Sequence, residues 1–243
     1  MPGLGAGDAT DGSFTDAGLI NALTRQLLTT NQNFSARVEV VAGSDRDPQR
    51  SRVLMNLDAR DGRYRVQIRS DGVSGGDFPP NASAALRALG LGESWILVSP
   101  HESRLRVVYP DLNVYWESPL EIERPQEGEA WETLPGEPPR ELVDAELCER
   151  SRLVPRRPGA DALEVIVWRS RARALFPIQV EFRDGRQAWR LRCRDLRLEA
   201  PPEARFSLPD GLEKVESIGD ITRRARARLL GERRRQEPGP PPE

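Results

Sequence analysis

The single histidine, His101, sits in the run Ser99-Pro100-His101-Glu102-Ser103. A Ser-His-Asp triad would have to use it, with Ser99 beside it. Proline on one side and polar residues on the other mark a turn, and neither serine stands in a G-x-S-x-G elbow. We read His101 as an exposed turn residue. Metal chemistry would fall to Asp45 and Asp47 or to Asp58 and Asp61. Both pairs lie in apparent turns, where Asp bonds its local backbone, and neither has calcium-loop spacing. With one histidine and no C-x-x-C, a zinc site has no ligand set. Asn81-Ala82-Ser83 matches a short glycosylation sequon, a pattern common by chance. The acidic run over 117–149 reads as a solvated face. Catalytic residues, metal and cofactor are therefore all expected to be absent, and the chain is expected not to be an enzyme.

The chain has 243 residues, 37% hydrophobic and 30% charged, with a net charge of -2. That balance gives no global electrostatic case for nucleic acid. Nearly all positive charge is Arg, because Lys214 is the one lysine. No window reaches the ~20 apolar residues of a membrane span. The opening MPGLGAGDATDGSF lacks the basic and apolar regions of a secretory leader. Two settings follow: a cytoplasmic protein, or the mature part of an exported one. The two cysteines, Cys148 and Cys193, are buried thiols in the first setting. In an oxidising setting they are a candidate disulfide that would stabilise by ~4 kcal/mol and needs Cα atoms within ~7 Å.

Alternation with period two dominates the chain. Phe34, Ala36, Val38 and Val40 share one face of a strand. Val53, Met55 and Leu57 precede a turn at Arg60-Asp61-Gly62, and Tyr64, Val66 and Ile68 follow it, as Asp-Gly hairpins do. Strands resume in SWILVSP, SRLRVVYP and NVYWES, and later in LCERSRLVP, ALEVIVWRS, FPIQVEF and QAWRLRCRDLRLE. The last changes parity between Cys193 and Leu196, which predicts a bulge. Residues 71–81 read as loop. Two helices are expected to be apolar on one side. One is capped at Thr15 or Asp16 and carries Leu19, Leu23 and Leu27; a short one near 82–91 carries Leu86 and Leu89. Residues 117–149 read as a surface excursion, and a basic helix with a stripe of Ile221, Ala225 and Leu229 follows Ile218. The expected organisation is a flexible segment 1–15, a β-rich domain 16–218, and a basic helix with a Pro-rich tail over 219–243. Short strands at regular spacing favour a sandwich or barrel.

The order of an amphipathic helix, FSARVEV, LDARDGRYRVQI, SWILVSPHESRLRVVYPDLNVYWE, WRSRARALFPIQVEF and RFSLPDGLEKV resembles the LolA/LolB-like superfamily of lipoprotein-sorting proteins. The resemblance covers about residues 16–218. It implies an α+β, mainly antiparallel β fold: a curved, unclosed half-barrel with a helical lid on its concave face. It implies a cavity for lipid or an acylated lipoprotein and a periplasmic or outer-membrane-associated setting. The lining would come from Leu19, Leu23, Leu27, Leu86, Leu89, Trp95, Leu97, Val107, Trp116, Phe176, Ile178, Val180 and Trp189. By position, Arg60 matches the arginine that contacts the lid in that family. The rival reading is a sensor or protein-interaction module of the same fold, like the RseB regulators, with a protein partner at 117–149.

Overall fold

The computed structural model describes residues 33–43, 50–76, 78–120, 131–133, 139–155, 164–183 and 188–236. The expected first helix, with Leu19, Leu23 and Leu27, lies outside them, as do the tail after 236 and the Asp45–Asp47 pair.

The first half is a meander: β1 (Phe34–Ala42), β2 (Ser51–Arg60), β3 (Arg63–Ser74), β4 (Glu93–Ser99), β5 (Arg104–Tyr109) and β6 (Val114–Pro119). The β2–β3 turn puts Asp61 at φ 49° and Gly62 at φ 76°. Two successive positive φ values give the turn twist that matches a hairpin, which is why Asp-Gly stands there. The β4–β5 and β5–β6 connections are single 3-10 turns, Pro100–Glu102 and Pro110–Leu112. Each starts on a proline, whose fixed φ suits the first helical position. They end on left-handed Ser103 and Asn113.

The second half adds β7 (Trp131–Thr133), β8 (Arg140–Val143), β9 (Glu146–Pro155), β10 (Glu164–Ser170), β11 (Phe176–Arg183), β12 (Ala188–Arg197) and β13 (Glu213–Val215). All join one sheet in the order β13-β6-β5-β4-β3-β2-β1-β12-β11-β10-β9-β7, with β8 also on β9. The order runs from one edge to another without closing. Every pairing is antiparallel except β13 with β6. The halves meet where β1 pairs β12, from Ser35↔Arg197 to Ala42↔Trp189. The predicted bulge is there, with Asp195 at φ 51° and Leu196 buried.

The sheet curls. Phe34 of β1 and Phe176 of β11 meet edge to face with centroids 5.0 Å apart, although β12 lies between their strands. Flat neighbours two strands apart would be ~10 Å apart. Both rings are fully buried in a core with Val38, Leu57, Ile178 and Cys193, and each such burial stabilises by roughly 1.5–3 kcal/mol.

Three local expectations need correction. Residues 71–74, expected as loop, continue β3, because a register shift between Val53 and Met55 lets Val73 and Ser74 pair Val53 and Arg52. The expected excursion over 117–149 holds the end of β6, β7, β8 and the start of β9. Glu141 and Glu146 occupy strand positions there, with Glu141↔Cys148 and Val143↔Glu146 opposed. Leu198, within the stretch QAWRLRCRDLRLE expected as strand and of the same parity as Leu196, lies beyond β12 and is exposed.

Helix α1 (Ala82–Ala88) fills the β3–β4 connection, and α2 (Ile218–Gln236) follows β13. The expected stripe is present: Ile221 and Ala225 are buried and Leu229 is half-buried. Between β12 and β13 the chain crosses from the middle of the sheet to its edge as a strap, residues 198–212. Arg60 Nη1 donates to the Pro201 carbonyl at 2.8 Å. Arg63 grips Glu203 through two bonds of 2.5 and 2.8 Å, and its guanidinium lies 5.3 Å over the Phe206 ring.

Candidate functional site

Directly opposed residues on paired strands point to the same side of a sheet. From β9 inward, Leu153 opposes Val165. Val165 opposes Phe182, and Val167 opposes Val180. Val180 then opposes Leu191, and Phe182 opposes Trp189. Leu191 opposes Val40, and Cys193 opposes Val38. The series continues through Val38↔Met55, Leu57↔Val66 and Val66↔Ile96. It ends through Ile96↔Val107 and Val107↔Trp116. One face is therefore an unbroken apolar band across ten strands, β9 to β12 and β1 to β6. Its β9–β11 part is buried; Val40, Met55, Val66, Ile96, Val107 and Trp116 stay half-buried.

The other face is polar and cross-linked. Ser35, Asp58 and Arg65 oppose one another across β1, β2 and β3. The Asp58 side chain is 3% exposed. Its Oδ1 accepts from Ser35 Oγ at 2.7 Å and Arg205 Nη1 at 2.8 Å, and its Oδ2 lies 3.5 Å from Arg65 Nη1. Burial pulls the Arg65 guanidinium down from its usual range, against the Asp58 charge. Glu39 holds Arg52 and Arg194 at 2.5 and 3.0 Å. Glu117 takes Arg106 at 2.8 Å and Lys214 at 3.2 Å, and the Arg106 bond holds its carboxyl below the usual carboxylate range. The strap arches over this face and borders an open cleft of about 1080 Å³ lined by Ser35, Arg37, Asn56, Gln67 and Trp95.

Of the expected lining residues, Val107, Trp116, Val180 and Trp189 lie on the apolar band. Phe176 and Ile178 belong to the core that joins it. Leu86 and Leu89 are half-buried at the rim, where α1 meets β3 through Ser83 and Ser70. Trp95 and Leu97 are on the opposite, polar face: Leu97 opposes Arg65 and Arg106, and Trp95 opposes Gln67 and Val108. The stretch Trp95-Ile96-Leu97-Val98 is apolar at both parities, so alternation alone could not choose its face. Arg65 caps the Trp95 ring at 4.6 Å, and arginine stems flank Leu97, which is 3% exposed. Met55, Val66, Ile96 and Leu191 also lie on the band, outside the expected set, although period two over β1–β3 carried the signal for the first two.

Arg60 contacts the strap, donating to Pro201 and pairing Glu203 at 3.1 Å. Cys148 and Cys193 are free and buried. Two strands separate β9 from β12, so the expected neighbouring placement does not hold and the pair is not bonded. Burial pushes the Cys193 thiol up to about 12 and raises that of Cys148. His101 is exposed above Gly62, where an added Cβ would lie 3.3 Å from its Nε2. Among the described residues, no group of three or more His, Cys, Asp or Glu is placed to hold a metal, and no helix is long and apolar enough to cross a membrane.

No protein-family model and no curated protein matches the chain. Solved structures do. The chain is similar to lipoprotein LppX of Mycobacterium tuberculosis at 13% identity, over 74% of this chain and 96% of that one, with a TM-score of 0.38. It is similar to the LolA superfamily protein NE2245 of Nitrosomonas europaea at 12% identity, over 81% and 99%, with a TM-score of 0.37. It is similar to a chain of the Pseudomonas aeruginosa MucA/MucB complex at 14% identity, over 82% and 63%, with a TM-score of 0.40. The superfamily that the sequence resembles is thus among these structures. The half-barrel described above stands on its own strand order and register.

Proposed function

We propose that the chain is a non-enzymatic, extracytoplasmic protein that binds lipid or an acylated lipoprotein on the apolar face of its half-barrel. One observation carries this reading: an apolar band continuous across ten strands, on which Met55, Val66, Ile96, Val107 and Trp116 stay half-buried while Glu39 and Asp58 on the other face are buried. Apolar surface that water still reaches, beside buried charge, inverts the usual order, and a contiguous apolar patch of this kind marks a binding surface. Long acyl chains need such a wall and few polar contacts. The test is a fluorescent acyl probe titrated into wild type, Val107→Asp and Gln67→Asp, with folding followed by circular dichroism. Saturable binding lost in Val107→Asp and kept in Gln67→Asp supports the reading. An absence of saturable binding by wild type overturns it.

A second reading, a protein-interaction module, is favoured by the β8–β9 hairpin. Leu142 and Leu147 oppose each other there at 73% and 42% exposure, within the segment expected to meet a protein partner. Capture of a partner by wild type but not by Leu142→Ser/Leu147→Ser, with no acyl binding, would establish it.

A further inference from the structure

Helix α2 concentrates positive charge in a chain whose net charge is -2. From Thr222 to Gln236 it has seven arginines and one glutamate. Its inner side is fixed. Ile221 and Ala225 are 4% and 2% exposed, and Ile221 packs with Val114 and Val215 against Leu112 and Trp116. Two arginines tie the helix to the body, Arg224 to Glu213 and Arg228 to the Asp111 carbonyl. Other side chains turn outward. The Arg223 side chain pairs with Asp220 at 2.9 Å yet is 78% exposed, Arg226 is exposed, and Leu230 is 59% exposed. At 100° per residue these three fall opposite Ile221 and Ala225. We propose that this outer face of α2 docks on an anionic lipid bilayer.

Guanidinium groups around an exposed leucine suit a membrane surface. The arginines meet anionic headgroups, and Leu230 enters the headgroup boundary. Trp116 supplies the link to function. It belongs both to the cluster beneath α2 and to the end of the apolar band, opposite Val107. Docking through α2 therefore brings the β6 end of the band to the bilayer, the direction from which an acyl chain would arrive. This step rests on the lipid-binding reading; the docking surface itself does not.

The experiment is co-sedimentation of the full chain with phosphatidylcholine vesicles, with and without phosphatidylglycerol. Binding should need phosphatidylglycerol and fall with salt. Arg226→Gln should weaken it about fivefold, and Arg223→Glu/Arg226→Glu at least about tenfold. Arg37→Glu/Arg197→Glu makes the same charge change on the polar face and should have little effect. Arg226→Gln and the polar-face double variant should keep the wild-type denaturation midpoint, since those positions are exposed; Arg223→Glu also loses its pair with Asp220, so Arg226→Gln is the variant that separates docking from stability. Equal weakening by both double variants, or no vesicle binding by wild type, would overturn the assignment. Duplex DNA bound in preference to the vesicles would overturn it too. Acyl-probe binding measured without vesicles reports separately on the apolar band and should survive the α2 changes.

Discussion

Arg106 and Val107 are neighbours in β5 and face opposite ways. Arg106 joins Glu117 and Glu102 in a charged lattice. Val107 joins a band that is half-buried at Met55, Val66, Ile96 and Trp116. The polar face is cross-linked by ion pairs and spanned by a strap; the apolar face is left partly open. On the proposed lipid-binding reading, the half-buried part of the band serves recognition, while the buried core and the polar lattice serve stability, and substitutions should sort accordingly.

The largest effect is expected in the core where the halves meet. Phe176→Ala removes the ring against Phe34 and should cost about 3–5 kcal/mol in urea denaturation. A loss below about 1 kcal/mol would mean that the curl does not depend on this contact. Asp58→Ala on the polar face should cost about 3 kcal/mol, because it strands Arg65 without its carboxylate. Asp58→Asn keeps the shape and should cost less.

The lattice should also respond to pH. Arg106 depresses the Glu117 carboxyl, so its contribution is present above the ordinary carboxylate value of about 4.5 and is lost as pH falls through the folded value. The gap in denaturation midpoint between wild type and Glu117→Gln should therefore be widest near neutrality and shrink toward pH 3. A gap that grows on acidification would contradict the pairing. Smallest in energy is the thiol test. Native protein at pH 8 should take up iodoacetamide at neither cysteine, since burial keeps Cys193 protonated up to about 12. Both should react after unfolding without reductant, whereas a disulfide would block them.

Much of this division could be read in the chain. Strict alternation in β1, β2 and β3 put Val38, Leu57 and Val66 on one face, and Asp-Gly placed the turn between β2 and β3. The parity change before Leu196 located the bulge. Legibility stopped where alternation did. Trp95 and Leu97 had equally apolar neighbours, and only pairing with β3 assigns them. Glu141 and Glu146 looked like a solvated run because acidic strand residues lack an apolar period to betray them. The Asp58 lattice joins residues 35, 58, 65 and 205, and no local pattern announces a contact between positions so far apart. Cys148 and Cys193 lie on strands whose separation depends on sheet order, which spacing does not encode.

The seam between β1 and β12 has a consequence for biosynthesis. The β1–β6 meander has all its residues once Pro119 is made, but its neighbour β12 ends at Arg197 and the strap follows later. At about 5–20 residues per second, that interval lasts about 4–16 s. Throughout it the β1 edge lacks its partner, and Phe34, Ala36 and Val38 lack the side chains that bury them. Pairing of such distant segments is also slow. The nascent chain is therefore most vulnerable to aggregation at this seam, and a chaperone that shields extended apolar strands should raise the yield of folded protein.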